Sequence, residues 1–368
     1  MSSHYRISLD AMGGDHGLSV TVPAALAALE QYPDISLILV GDQNQLKAAL
    51  QDNGAAENPR ITTQHASQTV DMDEPPALAL RGKKDSSMRV AINLIKEGRA
   101  DAVVSAGNTG ALMATARFVL RTLPGIDRPA ICSPIPSHSG HSHVLDLGAN
   151  IDSTAEHLYQ FAVMGSELAR AIDKVEEPAV GLLNIGQEDI KGNEQVKAAN
   201  RLLKEGHLNY IGYVEGDDIF GDRVDVVVCD GFVGNVALKT TEGLAKMLAT
   251  KLKQQFTSTW LAKLMALVAM PVLKAIQKEF DPRRYNGASF LGLQGIVIKS
   301  HGGADSLSFS NAISVARKEI IEEVPQKIRH RLQALVDEAS LDKVSLEKVV
   351  ADKALAEQAV NKKQATAE

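Results

Sequence analysis

The chain is predicted to be an α/β protein built on a largely parallel sheet with flanking helices. Three observations carry that expectation. Short aliphatic runs alternate with helix-length amphipathic segments through most of the chain, which is the βαβ pattern. The 368 residues are 45% hydrophobic but only 4% aromatic, as suits buried strands filled mainly by aliphatic side chains. Several runs end on turns rich in glycine and asparagine, where open α/β sheets bind ligands.

Taken in order, the chain opens on Tyr5–Asp10, whose apolar Ile7 and Leu9 lead into the turn AMGGDHG and then into a helical pattern. Gly13 and Gly14 let the backbone turn sharply and bring its N–H groups close to an anion. The same pair serves equally as a steric feature of an ordinary first βα turn. Further strands are expected at Ile35–Val40, Ile61–Gln64, Ala102–Ser105, Ile131–Ile135, His143–Leu147, Ala179–Asn184, Asn209–Tyr213 and Val224–Cys229. Helices are expected at Leu18–Gln31, Asn44–Gln51, Ser86–Lys96, Gly110–Arg121, Thr154–Asp173, Asn193–Glu205 and Asn235–Phe256. The Pro134–His143 segment, PIPSHSGHSH, reads as a loop. We expect a single catalytic domain over residues 1–340, followed by a C-terminal helix and frayed tail over 341–368.

One segment breaks the α/β rhythm. In residues 251–280, Leu261, Leu264, Met265, Val268 and Val272 recur at helical spacing, with Trp260 at the start and Lys263, Lys274 and Lys278 on the flanks. The lysines and Pro271 argue against a membrane span, which needs about 20 mostly apolar residues. Pro271 is expected to turn or kink a protruding helical pair over residues 235–280. The apolar stripe suits a core or dimer interface, and Trp260 with the lysines suits a peripheral membrane contact.

Composition narrows the function classes. The net charge is −6, with acids and bases interspersed, so bulk nucleic-acid binding is not indicated and no nucleic acid is expected. Cys132 and Cys229 stand far apart with no CxxC, which points to no zinc site and fits a reducing, cytoplasmic compartment. The start, MSSHYRISLD, has no signal-peptide apolar core. His138, His141 and His143 resemble a metal cluster, but their directions on a strand-entry loop diverge and no acidic partner is expected to face them, so no metal is expected. Cys229 beside Asp230 has no local histidine and reads as a buried apolar residue rather than a nucleophile.

The candidate chemistry sits at strand ends. In SAGNTG, Ser105–Gly110, the N–H groups and the side chains of Asn108 and Thr109 suit a phosphate; a tight βα turn with an N-cap fits equally. RGKKDSS, Arg81–Ser87, brings Lys83 and Lys84 together with Ser86 at a helix start; it is an anion site or a solvated loop capped by serine. DLGAN ends on Asn150, NIGQEDIKGN spans Asn184 and Lys191, and DGFVGN spans Asp230 and Asn235. KSHGGAD places His301 beside a glycine pair before a helix. The turn AMGGDHG with SAGNTG, DLGAN, NIGQEDIKGN and DGFVGN makes five strand ends, which are expected to gather along one edge of the sheet.

Together, DAMGGD, KKDSS, SAGNTGA, LDLGAN, LLNIGQE with KGN, GYVEGDDI, CDGFVGNVALK and YNGA with HGGAD resemble the bacterial phosphate acyltransferase family, in order, over residues 5–335. The family usually carries a basic residue where Gly82 stands, and often serine at Gly303 or Ala304. The resemblance implies a fold like that of isopropylmalate dehydrogenases and phosphotransacetylases, in a homodimer. It implies transfer of a long-chain acyl group from acyl-acyl-carrier protein to inorganic phosphate. The acyl phosphate would pass to a membrane glycerol-3-phosphate acyltransferase, with the protein peripherally associated with the inner face of the cell membrane. No cofactor and no metal is implied.

Under that resemblance, Lys83, Lys84 and Ser86 hold phosphate together with Asn108 and Thr109. Asn150, Asn184 and Asn235 orient the thioester or its oxyanion. Asp10 and Asp230 position these donors or carry a proton. Gly13 and Gly14 shape the cleft floor, and Lys191 and His301 are further substrate contacts. A phosphotransacetylase acting on acyl-coenzyme A, and a non-enzymatic scaffold for acyl-carrier protein, remain as alternatives.

Overall fold

The computed structural model describes residues 4–279, 281–335 and 337. The first half of the chain gives β1 (Tyr5–Asp10), α1 (Leu18–Gln31), β2 (Ile35–Gly41), α2 (Gln43–Asp52), β3 (Ile61–His65), α3 (Pro76–Gly82), α4 (Ser87–Lys96), β4 (Ala102–Ser105) and α5 (Thr109–Leu120). There follow β5 (Ala130–Pro136), β6 (His141–Leu145), α6 (Ala155–Ile172), β7 (Val180–Leu183), α7 (Glu194–Glu205), β8 (Tyr210–Val214) and β9 (Val226–Val228). The last described elements are α8 (Gly231–Thr257), α9 (Trp260–Glu279), β10 (Ala288–Leu291), β11 (Ile296–Lys299) and α10 (Ser306–Ile321), with residues 324–335 again helical. The tail expected over 341–368 lies outside the described residues.

One sheet of eleven strands has the order β3-β2-β1-β4-β11-β10-β5-β6-β9-β7-β8. Seven of its pairings are parallel and three antiparallel, so the sheet is largely parallel, as expected. The antiparallel pairs are β11/β10, β10/β5 and β5/β6, all at the centre. Short connections impose two of them, since parallel neighbours need a long crossover. Gly292, at φ 86, turns the chain between β10 and β11. The four residues Ser137–Gly140 join β5 to β6, so most of the segment read as a loop is a hairpin. Strands β10 and β11 were not anticipated, nor was α3.

These reversals have a consequence for the site. Strands β1, β2, β4 and β11 point one way, and β6, β7 and β9 the other. Their carboxyl ends therefore lie at opposite edges of the sheet. The expectation that all five strand-end clusters share one edge is corrected.

Alternation with period two builds the core. Val103, Val297, Ile131, Val144 and Val227 face one side, where α4 and α5 pack. Their neighbours face the other side. There α1 and α10 cover Val104 and Ile298, and α6 and α7 cover Cys132, Leu145 and Val226.

Helices α8 and α9 form the protruding pair. The chain turns through 119° between them. The break lies at Ser258 and Thr259, where Ser258 Oγ donates to the Gln255 carbonyl and Thr259 Oγ1 accepts from Ala262 N to start the second helix. Pro271 lies inside α9 instead of at the bend, which corrects the expected kink position. No single helix among the described residues is long and apolar enough to cross a membrane; the bent pair meets the criterion only jointly.

Candidate active site

At the first edge β1, β4 and β11 end side by side, with Asp10 in register with Ser105 and Ser105 with Lys299. Asp10 is buried, and its Oδ2 accepts from Ser105 Oγ at 2.6 Å. Ser105 Oγ in turn accepts from Gly107 N at 3.1 Å. Asp10 Oδ1 has no hydrogen-bond partner among the described residues. Burial raises the Asp10 pKa, and the nearby hydroxyls of Ser105 and Ser87 and amides of Met12 and Gly13 oppose that rise. Lys299 is buried too; its Nζ donates to the carbonyl of Ala106 at 3.2 Å and to that of Ser300. Burial lowers its pKa to about 8, against the attraction of Asp10 and Asp15.

Three turns close over this pair. A Cβ on Gly13 would lie 2.5 Å from Asp10 Oδ2 and 2.9 Å from Gly107 N. Gly14, at φ 83, would place a Cβ 2.8 Å from Ala106 Cβ and 2.9 Å from the Gly302 carbonyl. The Asp15 amide donates to that same carbonyl at 2.9 Å. The glycines of the first turn thus permit backbone-to-backbone contact among the β1–α1, β4–α5 and β11–α10 turns, and Asp10 and Lys299 lie beneath it.

Several expected phosphate ligands are already occupied. Asn108 caps α5 by accepting from Ala111 N, and its Nδ2 donates to the carbonyls of Met72 at 2.9 Å, Glu74 at 3.0 Å and Asp71 at 3.4 Å. Ser86 is buried and caps α4 by accepting from Arg89 N, while its hydroxyl donates to the Lys83 carbonyl. Lys83 Nζ donates to the Thr69 carbonyl at 2.7 Å and pairs with Glu74 at 3.3 Å. For Asn108 and Ser86 the structure takes the capping alternative, because each stands immediately before the first residue of a helix and meets an orphan amide there. Lys84, Thr109, Gly110 and His301 are exposed. Among the described residues only His301 of these has a side-chain bond, its Nδ1 accepting from Gly303 N at 3.1 Å. The first two residues of α5, Thr109 and Gly110, offer their N–H groups at this edge.

The second edge is organised by a residue the sequence reading passed over. Buried Asp146 accepts from the amides of Ile131, Ala149 and Asn150 and from Asn150 Nδ2. Asn150 Nδ2 also donates to the Pro129 carbonyl at 2.9 Å, so both amide hydrogens are used internally. Asp230 caps α8 through Phe232 N and accepts from Ser153 N at 2.9 Å. Asn184 Nδ2 donates to the Gly186 carbonyl, and Gly192 leaves room for its Oδ1. Asn235 is exposed on α8 against Gly148, and Lys191 is exposed on the loop before α7. Both cysteines are buried, and burial pushes each thiol up, the opposite of an activated nucleophile.

Helix α8 leaves the second edge. It starts at the end of β9, packs Leu238 against the core, and brings Lys239 within electrostatic reach of Lys299. Lys299 itself escaped the sequence reading. Its signal was a lone charge closing the apolar run IVIK immediately before SHGG.

The family model described as "Fatty acid synthesis protein" matches residues 5–327. A phosphate acyltransferase of Methylococcus capsulatus is 62% identical over 326 residues, covering 89% of this chain and 96% of that protein. One of Legionella pneumophila is 56% identical over 336 residues, covering 91% and 98%. Among solved structures, the EutD phosphotransacetylase of Staphylococcus aureus superposes with a TM-score of 0.57 at 15% identity, covering 86% of this chain and 94% of that one. A phosphotransacetylase of Streptococcus pyogenes gives 0.57 at 19%, covering 87% and 94%. At those identities the structural likeness establishes the fold.

Proposed function

The chain belongs to the phosphate acyltransferase family, and we propose that its acyl donor is a long-chain acyl-acyl-carrier protein and its acceptor inorganic phosphate. The observation that carries this reading is identity above half with phosphate acyltransferases along almost the whole of their length. Phosphate is already an oxygen nucleophile near neutral pH, so the chemistry asks for positioning rather than a buried serine or cysteine. A phosphate oxygen attacks the thioester carbonyl, the tetrahedral intermediate collapses, and the carbon–sulfur bond breaks. The thiolate of a thiol with pKa about 8.5 leaves and takes a proton from solvent.

Phosphate is held at the first edge by the N–H groups of Thr109 and Gly110, the Thr109 hydroxyl, Lys84 and His301. All are exposed where α5 begins or on the neighbouring turns. Helix N-termini favour anions. Asp10 and Lys299 set the turns beneath and touch no substrate. Exposed Arg81 and Lys84 suit an acidic carrier protein.

The α8–α9 pair carries an apolar face open to solvent. Trp260 is 78% and Val268 79% exposed, and Leu261, Leu264 and Met265 are exposed beside them. An area of this kind marks an interaction surface. It serves a second copy of the chain in a homodimer and contacts the inner face of the cell membrane, where the product is consumed by a glycerol-3-phosphate acyltransferase.

The deciding experiment incubates the enzyme with phosphate and either acyl-acyl-carrier protein or acyl-coenzyme A, trapping acyl phosphate with hydroxylamine. Higher kcat/KM with the carrier protein is expected. Equal or higher kcat/KM with coenzyme A would identify a phosphotransacetylase-type enzyme. Carrier binding without phosphate-dependent thiol release would identify a scaffold.

A further inference from the structure

We propose that His141, His143 and Asp173 form a binding site for one divalent transition-metal ion of zinc type, separate from the acyl-transfer site. His141 and His143 are two residues apart on β6, so their side chains leave the same face of the strand. Asp173, the residue that ends α6, meets both. His143 Nε2 lies 2.6 Å from Asp173 Oδ2, and His141 Nε2 lies 3.2 Å from Oδ1. The rings stand perpendicular, 4.9 Å apart, and the donor atoms of the three residues all fall within 4.8 Å of one another. The fold therefore supplies an acidic partner from another element, and the expected divergence of these two imidazoles is corrected. His138 does not join them; its amide donates to the Phe220 carbonyl on a separate turn.

Two imidazoles and one carboxylate are the donor set of borderline ions such as Zn²⁺, whereas Mg²⁺ and Ca²⁺ prefer all-oxygen sites. A cleft of about 240 Å³ opens beside the cluster, lined by Ser137, Gly140, His141, Asp173 and Asp222. It gives an ion access from solvent and room for water as the fourth ligand. Without metal, each imidazole donates its Nε2 hydrogen to Asp173. On binding, that hydrogen moves to Nδ1, and the two Nε2 lone pairs and an Asp173 oxygen face the ion. His143 Nδ1 then points at Cys132 Sγ, 4.0 Å away, which accepts the relocated hydrogen weakly. The ion would tie the β5–β6 hairpin to the end of α6.

The test uses the full-length protein stripped with EDTA and dialysed. Zn²⁺ is titrated by calorimetry, and Co²⁺ is added separately to read its ligand-field absorption. One equivalent of Zn²⁺ is expected to bind and raise Tm, with Mg²⁺ without effect. His141→Ala and Asp173→Asn should each weaken Zn²⁺ binding by at least about tenfold, while His138→Ala binds as wild type. His141 is only half-buried, and metal-free Tm of each variant reports its fold. Absence of saturable binding in wild type would overturn the proposal. So would wild-type affinity in both His141→Ala and Asp173→Asn.

Discussion

The ammonium of Lys299 rests on the carbonyl of Ala106 at 3.2 Å, joining the end of β11 to the turn that opens α5. Its position in register beside Ser105 and Asp10 makes this buried lysine the fixed point under the candidate phosphate site.

Lys299→Met is expected to lower phosphate-dependent kcat/KM by about 100-fold, since the α5 N-terminus loses its anchor and small misplacements of a site cost that much. Burial sets the Lys299 pKa at about 8, against about 10.4 in an unfolded chain. Between those values the unfolded chain holds a proton the fold has released, so the stability contributed by this group rises with pH. Urea unfolding of wild type and variant from pH 7 to 11 should show wild type gaining on Lys299→Met by on the order of 3 kcal/mol above pH 8. A pH-independent difference would remove Lys299 as a buried titrating group.

Asn108 divides its side chain between two tasks, and two substitutions separate them. Asn108→Asp keeps the oxygen that caps α5 but loses the donor to the carbonyls of residues 71, 72 and 74. Asn108→Ala loses both. Denaturant midpoints should place wild type above both variants, with about 1 kcal/mol of the loss in Ala due to the cap and the loss in Asp due to a buried carboxylate oxygen facing those carbonyls. Equal stability of the Asp variant and wild type would mean that the loop contacts contribute nothing.

Gly14→Ala and Gly54→Ala share a positive φ, 83 and 65 degrees, but only Gly14 faces backbone and side-chain atoms within 3 Å. Gly54→Ala should cost about 1 kcal/mol from strain alone. Gly14→Ala adds overpacking against Ala106 and Gly302, a further 1–3 kcal/mol or so, and should depress activity because the three turns part. Thermal unfolding and acyl phosphate yield check both.

Lys83 and Lys84 are adjacent, yet their expected phenotypes differ. Lys83→Ala breaks the contacts to Thr69 and Glu74 and should mainly lower stability, by about 1 kcal/mol. Lys84→Ala leaves the fold intact and should raise the KM for phosphate roughly 10- to 30-fold, the effect of losing one charge-assisted contact worth about 1.5–2 kcal/mol. Unchanged phosphate dependence in Lys84→Ala would remove it from the site.

Leu261→Glu with Val268→Glu places two charges on the open face of α9. Light scattering and liposome flotation should show loss of dimer and of membrane binding. Wild-type behaviour in both assays would leave that face without the roles assigned to it.

The α/β class, nine of the strands and the start of nearly every helix between them were legible in the sequence, because period-two and period-3.6 patterns and capping residues are local signals. The same locality makes helix caps resemble ligands. Ser86, Asn108 and Asp230 look like chemistry because asparagine, serine and aspartate serve both anion sites and helix caps. Only the folded chain shows that their polar atoms meet orphan amides first. The first turn, Gly13–Gly14, was recognised as a tight approach, but its partners Ala106 and Gly302 lie about 90 and 290 residues away. Strand direction was likewise out of reach. The antiparallel β11/β10/β5/β6 centre places the Asp10 and Asp146 clusters on opposite edges, and pairing direction is set by which strands meet, not by what each contains. Asp173 joins His141 and His143 for the same reason: helix α6 returns 30 residues later to the strand that carries them. The sequence by itself determined nine of the eleven strands, most of the helices and which residue types crowd their ends. The tertiary structure decided which of those residues face one another, because hydrogen bonds and burial act between neighbours in space.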